Sequence, residues 1–307
     1  PCSRTSRTSS GDETAAVGGA WMNVQQVVAL ALLELRAGRG LSARGLLEQV
    51  RRAVPDAPSV QSAWNLVEAH ETMVSIIDRS LREGPEFYPA NNSCQVPNIG
   101  RIYEAVFGRK TDGYFVEVGA YDGRTCSNTD FLPVLGWSGL YIEPAPAHME
   151  QCIRWHGAYP GVRFENAAAG AEEGVIELTV AGVLSTANQE VAQAYLDIDW
   201  AAPHFASSHV IPVRVRRLDD MLLAHNVPSH FDILVVDTEG FEGQVFQGFA
   251  LEAWLPRLAI VELGDDSSKV RQIESVAADI DTIKTRFDNA GYHVAFADET
   301  NTIFVRQ

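Results

Sequence analysis

From Gly113 onward the chain alternates short, almost wholly apolar runs with segments long enough to cross over a sheet. That rhythm limits the fold more than any other feature of the sequence. The runs are YFVEVGA, GLYIEPA, VRFENAA, DILVVDT and LAIVELG. A strand covered on both faces has no polar side to show, so uninterrupted apolar runs separated by crossovers predict a parallel sheet between helices. Two later runs, YHVAFAD and NTIFVR, are separated only by a short polar turn and read as an antiparallel pair at the sheet edge. Between the third and fourth runs an insertion carries GVIELTV, read as a hairpin arm, and IPVRVRRLDDML. The expected domain over residues 113–307 is an open α/β sheet, which binds ligands beyond the carboxyl ends of its strands.

The residues before it follow a different period. Val24, Val27, Val28, Leu32 and Leu35 fall on one helical stripe, with Gly38 as a stop. Ser42 reads as the N-cap of a second helix ending before Pro55, and Ser59–Arg82 repeats the pattern with Trp64, Val67, Met73 and Ile77. Residues 22–84 are therefore expected to form a helical unit that ends at Gly84–Pro85. It carries no catalytic pattern and is a candidate for packing, for a lid or for homodimer contacts. Residues 85–112 read as a Pro- and Asn-rich connection with a short helix near 98–108. Residues 1–21 are rich in Ser, Thr and Gly, lack the apolar core of a secretory signal, and read as a flexible tail.

Charge and cysteine usage exclude several functions. The 307 residues carry a formal net charge of -16, which disfavours a nucleic-acid partner, since such binding relies on neutralising phosphates. No stretch approaches the roughly 20 apolar residues that span a bilayer, so no membrane partner is expected. Cys2, Cys94, Cys126 and Cys152 have no CxxC spacing, which argues against a zinc site or a disulfide framework and for the cytoplasm.

The first run ends in the turn of GYFVEVGAYDGRTCSNTDF, residues 113–131, with a helix expected to start near Thr125 to Asn128. A dinucleotide site needs G-x-G-x-x-G. Here Glu117 replaces the first glycine, and Gly119 and Gly123 are four apart. A carboxylate at 117 repels a pyrophosphate and suits a ligand with an ammonium group and a sulfonium, which points to S-adenosylmethionine. Glu143, at the end of the second run, is placed to accept both hydroxyls of a ribose. Asn166 is a candidate for the adenine edge and Ala167 leaves room for the ring. The bland alternative is that both glutamates are solvated strand ends, but a glutamate in an apolar strand is costly unless paired.

The stretch FVEVGAYDGRTCSNTDFLPVLGWSGLYIEPAP resembles the opening of the methyltransferase fold in the FkbM family. The segments SNT, GW-x-GL-x-IEP-x-P, VRVRRLDDML and DTEGFE at 237–242 fit the same family pattern, and the likeness covers roughly residues 95–306. It implies a Rossmann-like class I methyltransferase sheet, mostly parallel with an antiparallel C-terminal edge pair. It also implies S-adenosylmethionine-dependent O-methylation of a hydroxyl on a natural product or sugar. The donor contacts it implies come from Glu117, Gly119, Ala120, Tyr121, Gly123, Ser127, Asn128, Thr129, Glu143, Pro144, Asn166, Ala167 and Asp237.

For the chemistry, the fourth run delivers Asp237, Glu239 and Glu242 to the sheet edge, and the fifth delivers Glu262, Asp265 and Asp266. Three readings are open. Asp237 can serve as base or orient the acceptor, with Glu239 beside it. Asp237 with Asp265 or Asp266 can hold a divalent cation such as Mg²⁺. Glu239 and Glu242 can simply cap the helix that follows. Many relatives carry a histidine as Glu-x-His after the fifth strand, where this chain has Gly264; His209, or His204 beside it, is a candidate substitute. Two other functions stay in view, a nicotinamide-dependent oxidoreductase and a non-catalytic interaction protein.

Overall fold

The computed structural model describes residues 14–17, 20–36, 39–55, 57–82, 87–90, 94–264, 270 and 272–306. Gly38, Gly84 and Pro85, expected as helix stops, lie outside them. The chain divides into two compact units, one ending at Thr72 and the other beginning at Met73.

In the first unit α1 spans Val24–Arg36, α2 spans Gly40–Ala53 and α3 spans Pro58–Arg82, running on past the unit's end. The expected stripe packs inward: Val27 and Val28 are buried beside Leu47, Val50, Trp64 and Val67, with Val24, Leu32 and Leu35 against them. Ser42 is not an N-cap. The helix begins at Gly40, and Arg39, three residues before Ser42, holds that place; its carbonyl accepts from Ser42 and Ala43. The third helix starts at Pro58, whose missing N–H costs nothing in a first turn. Within the stretch expected to be an unstructured tail, Thr14–Val17 pairs antiparallel with Ala20–Asn23.

The second unit is built on seven strands: β1 Tyr114–Val118, β2 Ser138–Ile142, β3 Val162–Glu165, β4 Ile233–Val236, β5 Leu258–Glu262, β6 Tyr292–Ala297 and β7 Asn301–Arg306. Their order across the sheet is 3-2-1-4-5-7-6. Neighbours are parallel except that β7 runs antiparallel to both β5 and β6. The continuous apolar runs have the expected cause, because both faces are covered. Val116, Val118, Leu234, Val236, Ala259 and Val261 face one core, while Phe115, Ile233, Val235, Leu258 and Ile260 face the other. The helix α4, Ile99–Phe107, lays Ile99, Ile102 and Tyr103 into the second core.

The insertion after β3 forms a separate three-stranded sheet. Gly174–Val180 pairs antiparallel with His209–Arg216, and the latter also pairs in parallel with Ala168–Ala169. Residues 181–208 loop out between those strands and carry the helix α5, Gln189–Leu196.

Strand order reverses between β1 and β4, the place where open α/β sheets bind ligands. The two strands meet there at one glycine. Gly119 has φ +83°, and a Cβ built on it would lie 1.6 Å from the Asp237 carbonyl oxygen. A side chain is thus excluded by both conformation and space. Gly119→Ala is expected to cost about 4 kcal/mol or more, read as a loss of the cooperative urea transition or a large drop in its midpoint. A variant as stable as the parent would show that the two turns do not touch this closely.

Candidate functional site

The turns after β1, β2, β4 and β5 surround a cavity of about 470 Å³, within the range of small-molecule sites. Glu117, Gly119, Ala120, Tyr121, Ser127, Asn128, Glu143, Pro144, Ala167, Asp237 and Glu239 all line it, so most of the residues expected to bind ligand do converge. No Lys or Arg is among the described lining residues.

Among the described residues, no helix begins near Thr125–Asn128; the first helical turn after β1 is Pro133–Leu135, of 3-10 type. Local hydrogen bonding is the reason. The Asp122 carboxylate accepts from the Arg124 and Thr125 amides and from the Thr125 hydroxyl, and Cys126 then turns left-handed at φ +61°. Such Asp-centred turns compete with helix. The segment is pinned from outside as well: Asn128 accepts from the Val96 amide at 2.9 Å, and Tyr103 donates to the Asn128 carbonyl. The turn after β1 therefore presents no helix N-terminus of the kind that holds a pyrophosphate.

Glu117 lies in β1 and is 4% exposed. Ser127 Oγ donates to it at 3.0 Å and Thr129 Oγ1 donates to the same oxygen. Ser127 and Thr129 thus hold Glu117, and Thr129 itself does not reach the cavity. Burial pushes the Glu117 carboxyl up to about 7, against those hydrogen bonds, which favour the ionised form. Gly123 does not line the cavity either. It lets the turn lie against the helix α6, Pro146–His156: a Cβ there would meet Cys152 Sγ at 2.5 Å, and its carbonyl contacts His156 Nε2 at 2.7 Å.

At the end of β2, Glu143 accepts from the Tyr121 amide at 2.9 Å and the Ala145 amide at 2.8 Å, one on each oxygen. A carboxylate has about four acceptor positions, so each oxygen of this cavity-lining residue keeps acceptor capacity beyond its amide. His148 stands 3.5 Å from Glu143, with its ring edge-on to Tyr121 at 4.5 Å. Asn166 has another role than the one expected. Its amide donates to the carbonyls of Glu143 and Pro144, closing the turn, and it does not line the cavity.

Across from Glu143 stand Asp237, Glu239 and Glu262, whose carboxylate oxygens lie within 4.8 Å of one another. Gln95 donates to Asp237 at 3.0 Å, and its own Oε1 is buried without a partner. Asp237 and Glu262 each bring an oxygen within 4.8 Å of the other, a closeness that is relieved when one of them holds a proton. Burial raises all three carboxyls; for Glu239 and Glu262 the charge of Asp237 adds to it and carries them well above the usual carboxylate range. Glu239 is left-handed at φ +54°, which swings its side chain into the cavity, where Tyr195 of α5 donates to it. Glu242 instead turns back and accepts from the Thr238 amide and hydroxyl; the helix that it begins has Phe241 at its N-cap and no side-chain cap hydrogen bond, so Glu242 ties down the turn and does not cap the helix as expected.

Several sequence expectations are redirected. His209 is exposed at the start of its strand, paired with Val180, and neither it nor His204 lines the cavity. Both histidines expected as substitutes for the missing Glu-x-His therefore lie away from the cavity lining. Asp265 and Asp266 lie outside the described residues, and Glu262 is the carboxylate from the fifth strand that joins the cluster. Gln95, His148 and Tyr195 were not foreseen. They come from a connection, a helix and an insertion whose local patterns carry no signature of ligand contact.

The strand order and the acid-lined switch point define a class I methyltransferase fold. The FkbM methyltransferase domain matches residues 117–294, more than half of the chain, and the chain belongs to that family. It is a methyltransferase. No curated protein matches it. Distant similarities among solved structures include an O-methyltransferase from Bacillus cereus in complex with SAH (12% identity, TM-score 0.38, covering 77% of this chain and 91% of that one). A putative O-methyltransferase from Klebsiella pneumoniae is 11% identical with a TM-score of 0.38, covering 86% and 97%. A TehB-like SAM-dependent methyltransferase from Corynebacterium glutamicum is 10% identical with a TM-score of 0.34, covering 76% and 99%. Likenesses this distant carry no functional argument.

Among the described residues no helix is long and apolar enough to cross a membrane. The buried Glu117 has a consequence for stability. The folded protein keeps its proton up to about 7, while the unfolded chain releases it near 4.5. Stability therefore falls as pH rises from about 4.5 to 7 and this contribution levels off above. Glu117→Gln has no proton to lose, so its stability curve should be flatter than the parent's over that window by up to ~3 kcal/mol. Urea unfolding of both proteins at pH 5 and pH 7.5 measures the difference; parallel curves would mean that Glu117 is ionised throughout.

Proposed function

We propose that the cavity binds S-adenosylmethionine and transfers its methyl group to a hydroxyl of a small molecule, a natural product or sugar. The observation that carries this is the division of one cavity: Gly119, Tyr121 and Glu143 line the side of β1 and β2, and Asp237, Glu239 and Glu262 line the side of β4 and β5. Glu143, with acceptor capacity left on each oxygen, suits two ribose hydroxyls. The side chain of Glu117 and the carboxylates opposite suit the ammonium and the sulfonium of the donor. The missing helix N-terminus after β1 counts against a dinucleotide.

In the reaction the acceptor oxygen displaces sulfur from the methyl carbon in line. The C–S electron pair stays on sulfur, and the acceptor proton leaves to a base. Most of the acceleration in such a step comes from holding oxygen and methyl in contact, with proton removal adding about 10²–10⁴-fold. Asp237, with Glu239 beside it, is the group in place to take the proton when it is ionised, and its raised affinity for a proton makes it a stronger base than an exposed carboxylate.

A second reading follows from the same cluster. Three carboxylates within 4.8 Å of one another, beside the unpartnered Gln95 carbonyl oxygen, form the all-oxygen donor set that a hard cation such as Mg²⁺ takes. When bound, such an ion would polarise the acceptor hydroxyl, and Asp237, Glu239 and Glu262 would hold it. Calorimetric titration with S-adenosylmethionine, with EDTA or with Mg²⁺, separates the two readings.

Two variants test the assignment. Glu143→Gln keeps one carbonyl acceptor for the turn and is expected to weaken S-adenosylmethionine binding about 10–100-fold, as one charge-assisted hydrogen bond is lost. Unchanged affinity in the titration would remove the ribose role. Asp237→Asn should leave the thermal transition in place and lower methyl transfer from radiolabelled donor by at least about 10²-fold. An undiminished rate would take Asp237 out of the mechanism.

A further inference from the structure

Beside the carboxylates the cavity has apolar lining residues, several of them from the insertion after β3. Ile198 and Trp200 come from the turn that follows α5, and Val183 from the loop that precedes it. Phe241 and Val270 close the same wall from the turns after β4 and β5. Trp200 is 63% exposed, an unusual place for an indole, and stands edge-on to Tyr195 with ring centroids 6.2 Å apart. Tyr195 in turn donates to Glu239. The apolar wall and the carboxylates are thus joined by one side chain, and a molecule that lies on the wall has its edge at Asp237 and Glu239.

Charge narrows the occupant further. Glu117, Glu143, Asp237, Glu239, Glu262 and Glu299 all line this cavity, and no described Lys or Arg does. An acceptor with a phosphate or carboxylate would meet acids and, among the described residues, no counter-ion in a partly dry site, and burying an anion without a partner costs several kcal/mol. A highly hydroxylated acceptor would leave the indole and the aliphatic wall uncovered. A flat apolar body covers them, and aromatic contacts of the Trp200 kind add roughly 0.5–1.5 kcal/mol beyond the area buried.

We infer that the methyl acceptor is an uncharged, hydroxyl-bearing molecule with a flat apolar body, lodged against Trp200, Ile198 and Phe241, and that Trp200 selects it. The inference rests on the methyl-transfer reading for the position of the hydroxyl, but not for the affinity of the wall. Two probes of one shape separate the requirements: 2-naphthol and 6-hydroxy-2-naphthoate, which differ by a single carboxylate. Each is titrated into the full-length protein in EDTA, with and without saturating S-adenosylhomocysteine, which is itself titrated alongside.

The expected result is that 2-naphthol binds at least about tenfold more tightly than the naphthoate. Trp200→Ala should lose about 2–12-fold of the naphthol affinity, with Trp200→Phe recovering most of it and S-adenosylhomocysteine affinity unchanged in both. Equal or tighter binding of the naphthoate overturns the proposal. So does failure to bind either probe, or a Trp200→Ala variant that binds naphthol as the parent does. If S-adenosylhomocysteine fails to bind while naphthol binds in a Trp200-dependent way, the wall stands and the donor reading falls.

Discussion

The contact between the turn after β1 and the turn after β4 sets the rest of this site. Gly119 passes so close to the Asp237 carbonyl that the backbones meet without any side chain between them. Two ladder bonds fix the approach: the Asp237 amide donates to Val118, and the Gly119 amide donates to Ile142 across the sheet at 3.0 Å each. With those atoms placed, Glu143 and Asp237 have to face each other over the switch point. A bulkier residue at 119 would part the strands and with them the two halves of the cavity.

The acids in this site are kept in very different ways. Glu117 and Glu143 are given donors by neighbouring hydroxyls and amides, the arrangement expected for carboxylates built to stay in a folded interior. Asp237, Glu239 and Glu262 share a few neutral donors among three acids and must hold protons between them. That crowding costs stability unless a ligand relieves it. Proteins retain such conflicts at functional sites more than elsewhere.

Much of this was legible in the sequence, for physical reasons that differ from place to place. Five apolar runs announced the parallel strands because a strand covered twice has no polar face. Glu117 stood out because a buried acid in such a run must have partners, yet its partners Ser127 and Thr129 were readable only as motif members. Asn166 and Gly123 sat where a ligand contact was plausible, but their atoms are consumed by a turn and by a helix. Hydrogen bonds to backbone carbonyls leave no trace in residue type. Tyr195 and Gln95 reach the site across long stretches of chain, 44 and 142 residues from the groups they touch, and no local pattern encodes that reach.

The insertion is fastened to the turn after β4 in a particular manner. Thr186 donates to the Glu239 carbonyl at 2.7 Å and Asn188 donates to the Gly240 carbonyl at 2.9 Å. Both acceptors are main-chain atoms, exposed by two successive left-handed residues at φ +54° and +86°. Other contacts do depend on the residue facing them: Tyr195 donates to the Glu239 side chain, Val191 lies where a Cβ on Gly240 would be 2.6 Å away, and Glu190 accepts from Ser275. The insertion is thus fastened in part through main-chain acceptors, and a scaffold offering the same kinked dipeptide and an apolar floor beneath the insertion helix would hold it in the same way. Diversification of acceptor preference can proceed by exchanging that insertion while the strand ends keep their sequence.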